Sequence, residues 1–199
     1  SPEELDLILM STISSDVIIP CGACEVQKAI GADRAVCFDL NGACTGFVLA
    51  YNTAQAYIDS GIYQTILIVG SESLSRLTNW KDRGTCILFG DGAGAAVIKK
   101  DERASYIPVA HSDGNRGEAL LCHSKREKNG LPMQKTDEIG EKHLTSEDYL
   151  MQMDGQGVFR FAIKQVPEVI QEVLEKNEVK PDEISWYILH QANRRILEA

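Results

Sequence analysis

The chain has 199 residues, enough for one substantial hydrophobic core, and its 44% hydrophobic and 25% charged content is ordinary for a globular protein. A net charge of −9 argues against general affinity for nucleic acid or an anionic membrane. The sequence contains neither a membrane-length apolar run nor a secretion signal, so we expect a cytoplasmic protein without nucleic-acid or membrane partners.

The first third of the chain alternates between strand and helix patterns. Apolar runs predict strands near 5–12, 34–40 and 63–70, of which the second is expected to be buried. Apolar residues three and four apart predict helices over 23–30, ended by Gly31, and over 46–60. Strand, helix and strand in this order predict right-handed crossovers in an α/β fold with helical layers on the sheet.

Cys44 lies where the second strand turns into the second helix, within Asn41-Gly42-Ala43-Cys44-Thr45-Gly46-Phe47. A thiol there faces unpaired helical N–H groups, which favour the thiolate and could also bind an oxyanion. Small neighbours permit the tight turn and leave room for a substrate carbonyl. The alternative from this pattern alone is a small buried residue that packs the helix on the sheet.

The other cysteines suit reduced, structural thiols, because they are scattered and mostly lie in apolar or small-residue runs. Cys21-Gly22-Ala23-Cys24 is the only CxxC in the sequence. No second pair or nearby histidine completes a ligand set, so we interpret it as structural and predict no metal site.

The segment Gly90-Asp91-Gly92-Ala93-Gly94 precedes a strand at 95–98 and does not match G-x-G-x-x-G, so it favours close backbone packing over phosphate binding. A short strand is predicted at 106–110, and 112–148 is a polar, irregular connection. A helix from Val158 and a strand at 186–189 follow, then a helix from Arg194.

His190 stands at the carboxyl end of that last predicted strand, as Cys44 follows an earlier one. Sites in open sheets gather at such ends. A histidine after a strand is more often structural, but a cysteine nucleophile requires an imidazole partner, so we predict that the two meet in the fold.

These two motifs, together with Asp82-Arg83-Gly84-Thr85 and Phe89-Gly90-Asp91-Gly92-Ala93-Gly94, resemble the β-ketoacyl-acyl-carrier-protein synthase III family. The resemblance implies a thiolase-like layered α-β-α fold and a decarboxylating condensation of an acyl-CoA primer with malonyl-acyl-carrier protein, which initiates fatty acid synthesis. Acyl-CoA would be a substrate, and no cofactor is implied.

The resemblance also implies a role for each matching residue. Cys44 would be the acylated nucleophile, and His190 would bind the malonyl thioester carbonyl. The residues implied in binding substrate or CoA are Arg83, Gly155 and Asn193, and those implied in carrier-protein docking are Gln191, Ala192, Asn193, Arg194, Arg195 and Arg160. The residues implied in lining the acyl pocket are Leu74, Phe89, Leu120 and Met151, with Ile19 reaching across a homodimer interface to close the partner's pocket.

The resemblance covers nearly the whole chain but only part of the family's fold. Residues 1–111 would form most of the N-terminal half, 112–155 a connecting region, and 156–199 the start of the C-terminal half. The family's first strand would precede Ser1, and its catalytic asparagine, which is not Asn193, would follow Ala199. We therefore expect an internal fragment that is inactive alone.

Three alternatives stay open at this point. One is a related thiolase-fold synthase of polyketide or quinolone type, although the His-Gln-Ala-Asn context favours the fatty-acid type. Another is a non-catalytic fragment for dimerisation or carrier-protein binding. A papain-like thiol hydrolase would need an asparagine after the histidine and a different strand order.

Overall fold

The computed structural model describes residues 1–101, 106–124 and 146–199. The elements are β1 (Leu7–Ser11), α1 (Gly22–Ile30), β2 (Val36–Leu40), α2 (Gly46–Asp59), β3 (Thr65–Ser73), β4 (Asp91–Lys99), β5 (Leu120–Leu121), β6 (Gln152–Met153), α3 (Gly155–Lys176) and α4 (Arg194–Leu197). Among the described residues, no helix is both long and apolar enough to cross a membrane.

The main sheet has the strand order β2-β1-β3-β4, with the first three strands parallel and β4 antiparallel to β3. Side chains alternate across the central strand β1: Leu7 and Leu9 pack with α2, whereas Ile8 packs on the other face with α1. Helices therefore cover both faces, which confirms the predicted α/β layers.

The predicted end of the first helix is confirmed. Gly31 follows α1 in the left-handed conformation, with φ of 70°, and its N–H bonds to the carbonyl of Gln27. The apolar face of α2 buries Ala50, Ala54 and Ile58 against the sheet.

Two expectations about burial in the sheet are wrong. β2 is only half-buried, and 48% of Val36 is exposed, because the strand lies at the edge of the sheet. The glycines at 90, 92 and 94 are not sites of close backbone packing, because a Cβ built at each would meet nothing within 4 Å among the described residues. β4 is itself an exposed edge strand.

Two predicted strands are also absent. Residues 106–110 form no ladder, because the side chain of Asn177, at the end of α3, bonds both the N–H of Ile107 (2.6 Å) and its carbonyl (2.9 Å). Residues 186–189 are not in a strand, and Trp186 and Ile188 are 84% and 93% exposed. No strand in the described ranges lies beside them to complete a ladder.

Within the connection predicted at 112–148, a 3₁₀ turn at Gly114–Ala119 leads into β5, which pairs antiparallel with β6. Its residues 125–145 lie outside the described ranges. α3 begins at Gly155, three residues before the predicted start, because Asp154 caps it by accepting from the N–H groups of Gln156 and Gly157.

Candidate active site around Cys44

Cys44 lies in the short turn that joins β2 to α2. Residues Ala43–Thr45 form a single 3₁₀ turn directly before Gly46, and the residue Cys44 is exposed. Ala43 has a φ of 43°, in the left-handed region that side chains rarely adopt. The N–H and the hydroxyl of Thr45 both donate to the carbonyl of Gly42, at 3.1 and 3.0 Å. The predicted strand–turn–helix setting of Cys44 is confirmed.

Gly46 allows this turn to sit directly on the end of β1, and Gly42 allows the turn itself to close tightly. A Cβ at Gly46 would lie 1.8 Å from Oγ of the buried Ser11, the last residue of β1. A Cβ at Gly42 would lie 2.8 Å from Cα of Gly46. The cysteine is therefore fixed by direct packing of backbone against the central strand of the sheet.

The direction of the Cys44 pKa runs against the expected thiolate character. Desolvation is the main factor and raises the pKa of the Cys44 thiol above its ordinary value; the charge of Glu72 also raises it, while a backbone N–H lowers it. Because the raised pKa disfavours the thiolate, loss of the thiol proton has to accompany the attack of sulfur on a substrate.

Glu72 is a site residue that the sequence reasoning missed. Its carboxylate accepts from the N–H of Ile13, at 3.0 and 3.2 Å to the two oxygens, and from the hydroxyls of Thr12 and Ser14. Glu72 therefore holds the segment after β1 beside the Cys44 turn. The available signal was an acidic residue shortly after the apolar run of β3.

His190 is exposed in the extended segment that precedes α4. Its neighbour Asn193 is the N-cap of α4, accepting from the N–H of Arg195 at 2.9 Å. Within the ranges that the structure describes, no hydrogen bond joins His190 to Cys44. Their pairing stays a prediction.

The arginines expected to bind anionic groups lie on exposed surfaces. Arg83 belongs to a turn held by Asp82, whose carboxylate accepts from the N–H of Gly84 and the hydroxyl of Thr85, both at 2.8 Å. Arg194 pairs with Glu198 at 2.6 Å. The remaining residues implied in carrier-protein docking are exposed too: Arg160 on α3, Gln191 and Ala192 before α4, and Arg195 on α4.

The residues expected to line the acyl pocket lie in several different elements, and their assembly into a pocket stays a prediction. Met151 is buried, and its N–H donates to the carbonyl of Leu77, just after the 3₁₀ turn that begins at Leu74. Leu120 lies opposite Met153 in the small sheet. Phe89, another residue expected in the pocket, is half-buried. Gly155, expected to bind substrate, is the first residue of α3. Ile19, expected at a dimer interface, is 87% exposed.

The described residues contain no group of three or more histidine, cysteine, aspartate or glutamate side chains placed to hold a metal ion. Cys21 and Cys24 have their sulfur atoms 3.5 Å apart, and both are free thiols.

Comparison with known proteins gives consistent matches. The family model for 3-oxoacyl-[acyl-carrier-protein] synthase III matches residues 38–114, which include Cys44 and Arg83. The β-ketoacyl-[acyl-carrier-protein] synthase III of Clostridium acetobutylicum is 43% identical over 198 residues, covering 99% of this chain and 58% of that protein. This chain thus spans about three-fifths of the length of the curated relatives that it matches.

Solved structures show the same likeness. The structure of 3-oxoacyl-[acyl-carrier-protein] synthase III from Aquifex aeolicus has a TM-score of 0.83 and 38% identity, covering 100% of this chain and 57% of that one. The priming β-ketosynthase of the R1128 polyketide pathway has a TM-score of 0.83 at 30% identity, covering 100% and 56%. The chain has the thiolase-like α/β fold that the sequence predicted.

Proposed function

We propose that this chain, a homologue of β-ketoacyl-acyl-carrier-protein synthase III, carries the acyl-accepting cysteine of an enzyme that condenses acyl-CoA with malonyl-acyl-carrier protein. The observation that carries the proposal is the position of Cys44: an exposed cysteine at the start of a 14-residue helix, at the end of a parallel strand. Its relatives are named for this condensation.

In the first step, the sulfur of Cys44 attacks the acyl-CoA thioester carbonyl. A new carbon–sulfur bond forms, the bond to the CoA sulfur breaks, and the thiol proton ends on the departing CoA thiolate. N–H groups at the first turn of α2 stabilise the oxyanion between these events. Because the pKa of the thiol is raised, attack and proton loss are coupled in this step.

In the second step, the malonyl thioester loses carbon dioxide, and the electron pair left behind forms an enolate. An N–H of the His190 ring stabilises the enolate oxygen without protonating the carbanion. The carbanion then attacks the acyl group on Cys44, and the sulfur leaves as a thiolate that takes up a proton. The product is a 3-ketoacyl-carrier protein.

Local positive charge recruits the two acidic partners to a chain of net charge −9. Arg83 binds the CoA phosphates from its exposed turn, and Arg195 binds the carrier-protein side. Arg195 has no ion pair among the described residues, whereas its neighbour Arg194 is held by Glu198. Arg195 therefore contributes more than Arg194 to binding the carrier protein.

The test uses the Clostridium acetobutylicum synthase with its matching segment replaced by this chain. We expect this chimera to make a 3-ketoacyl-carrier protein from acyl-CoA and malonyl-carrier protein. His190→Ala should abolish condensation but keep acyl transfer to Cys44, whereas Cys44→Ser should abolish both. Full condensation by His190→Ala would overturn the role given to this residue.

The similarity to the priming β-ketosynthase of the R1128 pathway supports a second candidate function, a synthase that primes a polyketide pathway. The chimera distinguishes the two when it is offered carrier proteins from fatty-acid and from polyketide systems in competition. A preference of tenfold or so for the polyketide carrier, about 1.4 kcal/mol in transition-state binding, would favour the second candidate.

We also place Ile19 at a homodimer interface. It lies in an exposed apolar pair with Ile18, which is 94% exposed, and such patches mark contact surfaces. Ile19→Asp should shift the chimera from dimer to monomer in analytical ultracentrifugation. An unchanged dimer would remove Ile19 from the interface.

A further inference from the structure

Two thiols outside the proposed catalytic chemistry are already in contact at the start of α1. Cys21 is the N-cap of the helix and Cys24 its third residue, and their sulfur atoms are 3.5 Å apart. A disulfide bond is about 2.05 Å long, so the sulfurs need to approach by only about 1.5 Å. Both residues are half-buried and within reach of a small reagent.

The surroundings hold this pair of thiols close together. Asp39 on β2 accepts from the N–H groups of Gly22 and Ala23, at 2.7 and 2.8 Å, so the first turn of α1 is anchored to the sheet. The segment before Cys21 is in neither helix nor strand, and residues 15–20 are exposed. Cys21 itself packs against the apolar cluster that includes Ile8 and Ala23, so both sulfurs are held at this short distance by their surroundings.

A third thiol, Cys37 on β2, is the competing partner for Cys24. It is held in the ladder opposite Ile8, and its Sγ lies 3.7 Å from the carbonyl oxygen of Ala35, to which it donates. Desolvation first, and then the neighbouring Cys24, raise the pKa of Cys37 to about 11, so little of it is nucleophilic thiolate. Desolvation raises the pKa of Cys21 as well, so the choice of Cys21 as the partner rests on geometry, namely the 3.5 Å between its sulfur and that of Cys24.

We propose that Cys21 and Cys24 are a redox modification site that forms a reversible disulfide by exchange with a low-molecular-weight disulfide such as glutathione disulfide. One cysteine loses its proton and attacks the reagent, giving a mixed disulfide and one glutathione thiolate. The other cysteine then loses its proton and displaces the second glutathione thiolate. The protein dithiol is oxidised by two electrons, and one glutathione disulfide is reduced to two glutathione molecules.

Tryptic mapping of the full chain tests this proposal, because residues 1–28 form one peptide that holds this pair and no other cysteine. The chain is equilibrated in glutathione buffers of graded ratio, both folded and in urea, and then alkylated. We expect the folded peptide to lose both alkylation sites together and to gain an internal disulfide. The equilibrium constant for forming the Cys21–Cys24 disulfide should be about tenfold or more larger in the folded chain than in urea, because the fold holds the two thiols in contact.

Two variants complete the design. Cys21→Ser should abolish the internal disulfide, whereas Cys122→Ser, which removes another half-buried free thiol, should leave it unchanged. An equilibrium constant for disulfide formation that is no larger in the folded chain than in urea would overturn the proposal. A cross-link between peptides 1–28 and 35–76 would overturn it too, since it would assign the bond to Cys37 or Cys44.

Discussion

Replacing Gly46 by alanine tests the close packing that positions the cysteine turn. The new Cβ would lie 1.8 Å from Oγ of Ser11, and ordinary contacts begin near 3.4 Å, so the buried hydroxyl has to rotate away or the helix has to move off the strand. Overpacking of this kind costs roughly 1–3 kcal/mol. We expect Gly46→Ala to lower the free energy of unfolding by about 2 kcal/mol in urea titrations followed by circular dichroism.

A double-mutant cycle with Ser11→Ala isolates that contact. Removing the hydroxyl leaves only the Cβ of residue 11, at 3.1 Å, so the double variant should recover at least about 1 kcal/mol. Gly92→Ala is the matched control, since its Cβ would meet nothing within 4 Å, and its effect should stay within about 0.5 kcal/mol. Equal stability of Gly46→Ala and Gly92→Ala would refute the packing argument.

Three further predictions concern charged groups. Glu72→Gln removes a negative charge that raises the pKa of Cys44, so iodoacetamide should alkylate Cys44 faster at pH 8, as measured in a Cys37→Ser background; a slower reaction would contradict the assignment. Asp39→Ala removes two hydrogen bonds from the start of α1 and should cost about 1–2 kcal/mol of unfolding free energy in urea; no change would show that these bonds contribute nothing. Backbone N–H groups of Gln64 and Thr65 hold the pKa of Asp6 below its usual value. The stability this provides is present above about pH 4 and lost as pH falls through the folded pKa, so Asp6→Asn should lose less stability than the parent between pH 6 and pH 3.

The sequence predicted the elements whose pattern is local. Apolar periodicity located β1, α1, α2 and β3, and Gly31 marked the end of α1 through its conformational freedom. The strand–turn–helix position of Cys44 followed from the same signals. In each case the residues that determine the structure are neighbours in the chain.

The features that the sequence did not predict depend on distant residues. The apolar run at 186–189 needs a neighbouring strand, and Ile107 is bonded by Asn177 across 70 positions. The pKa of Cys44 is raised by desolvation and by Glu72, and only the folded chain brings these together. The sequence showed only the helical N–H groups around Cys44, which favour the thiolate, and therefore indicated the opposite direction for its pKa.

The most direct test of the account is the intact mass of the chimera after incubation with acetyl-CoA, with the Clostridium acetobutylicum parent as positive control. We predict a gain of one acetyl group that maps to the tryptic peptide 35–76 and is lost in Cys44→Ser while Cys37→Ser retains it. A folded chimera that stays unmodified while the parent is acylated, or an acetyl group that persists in Cys44→Ser, would contradict the assignment of Cys44 as the nucleophile.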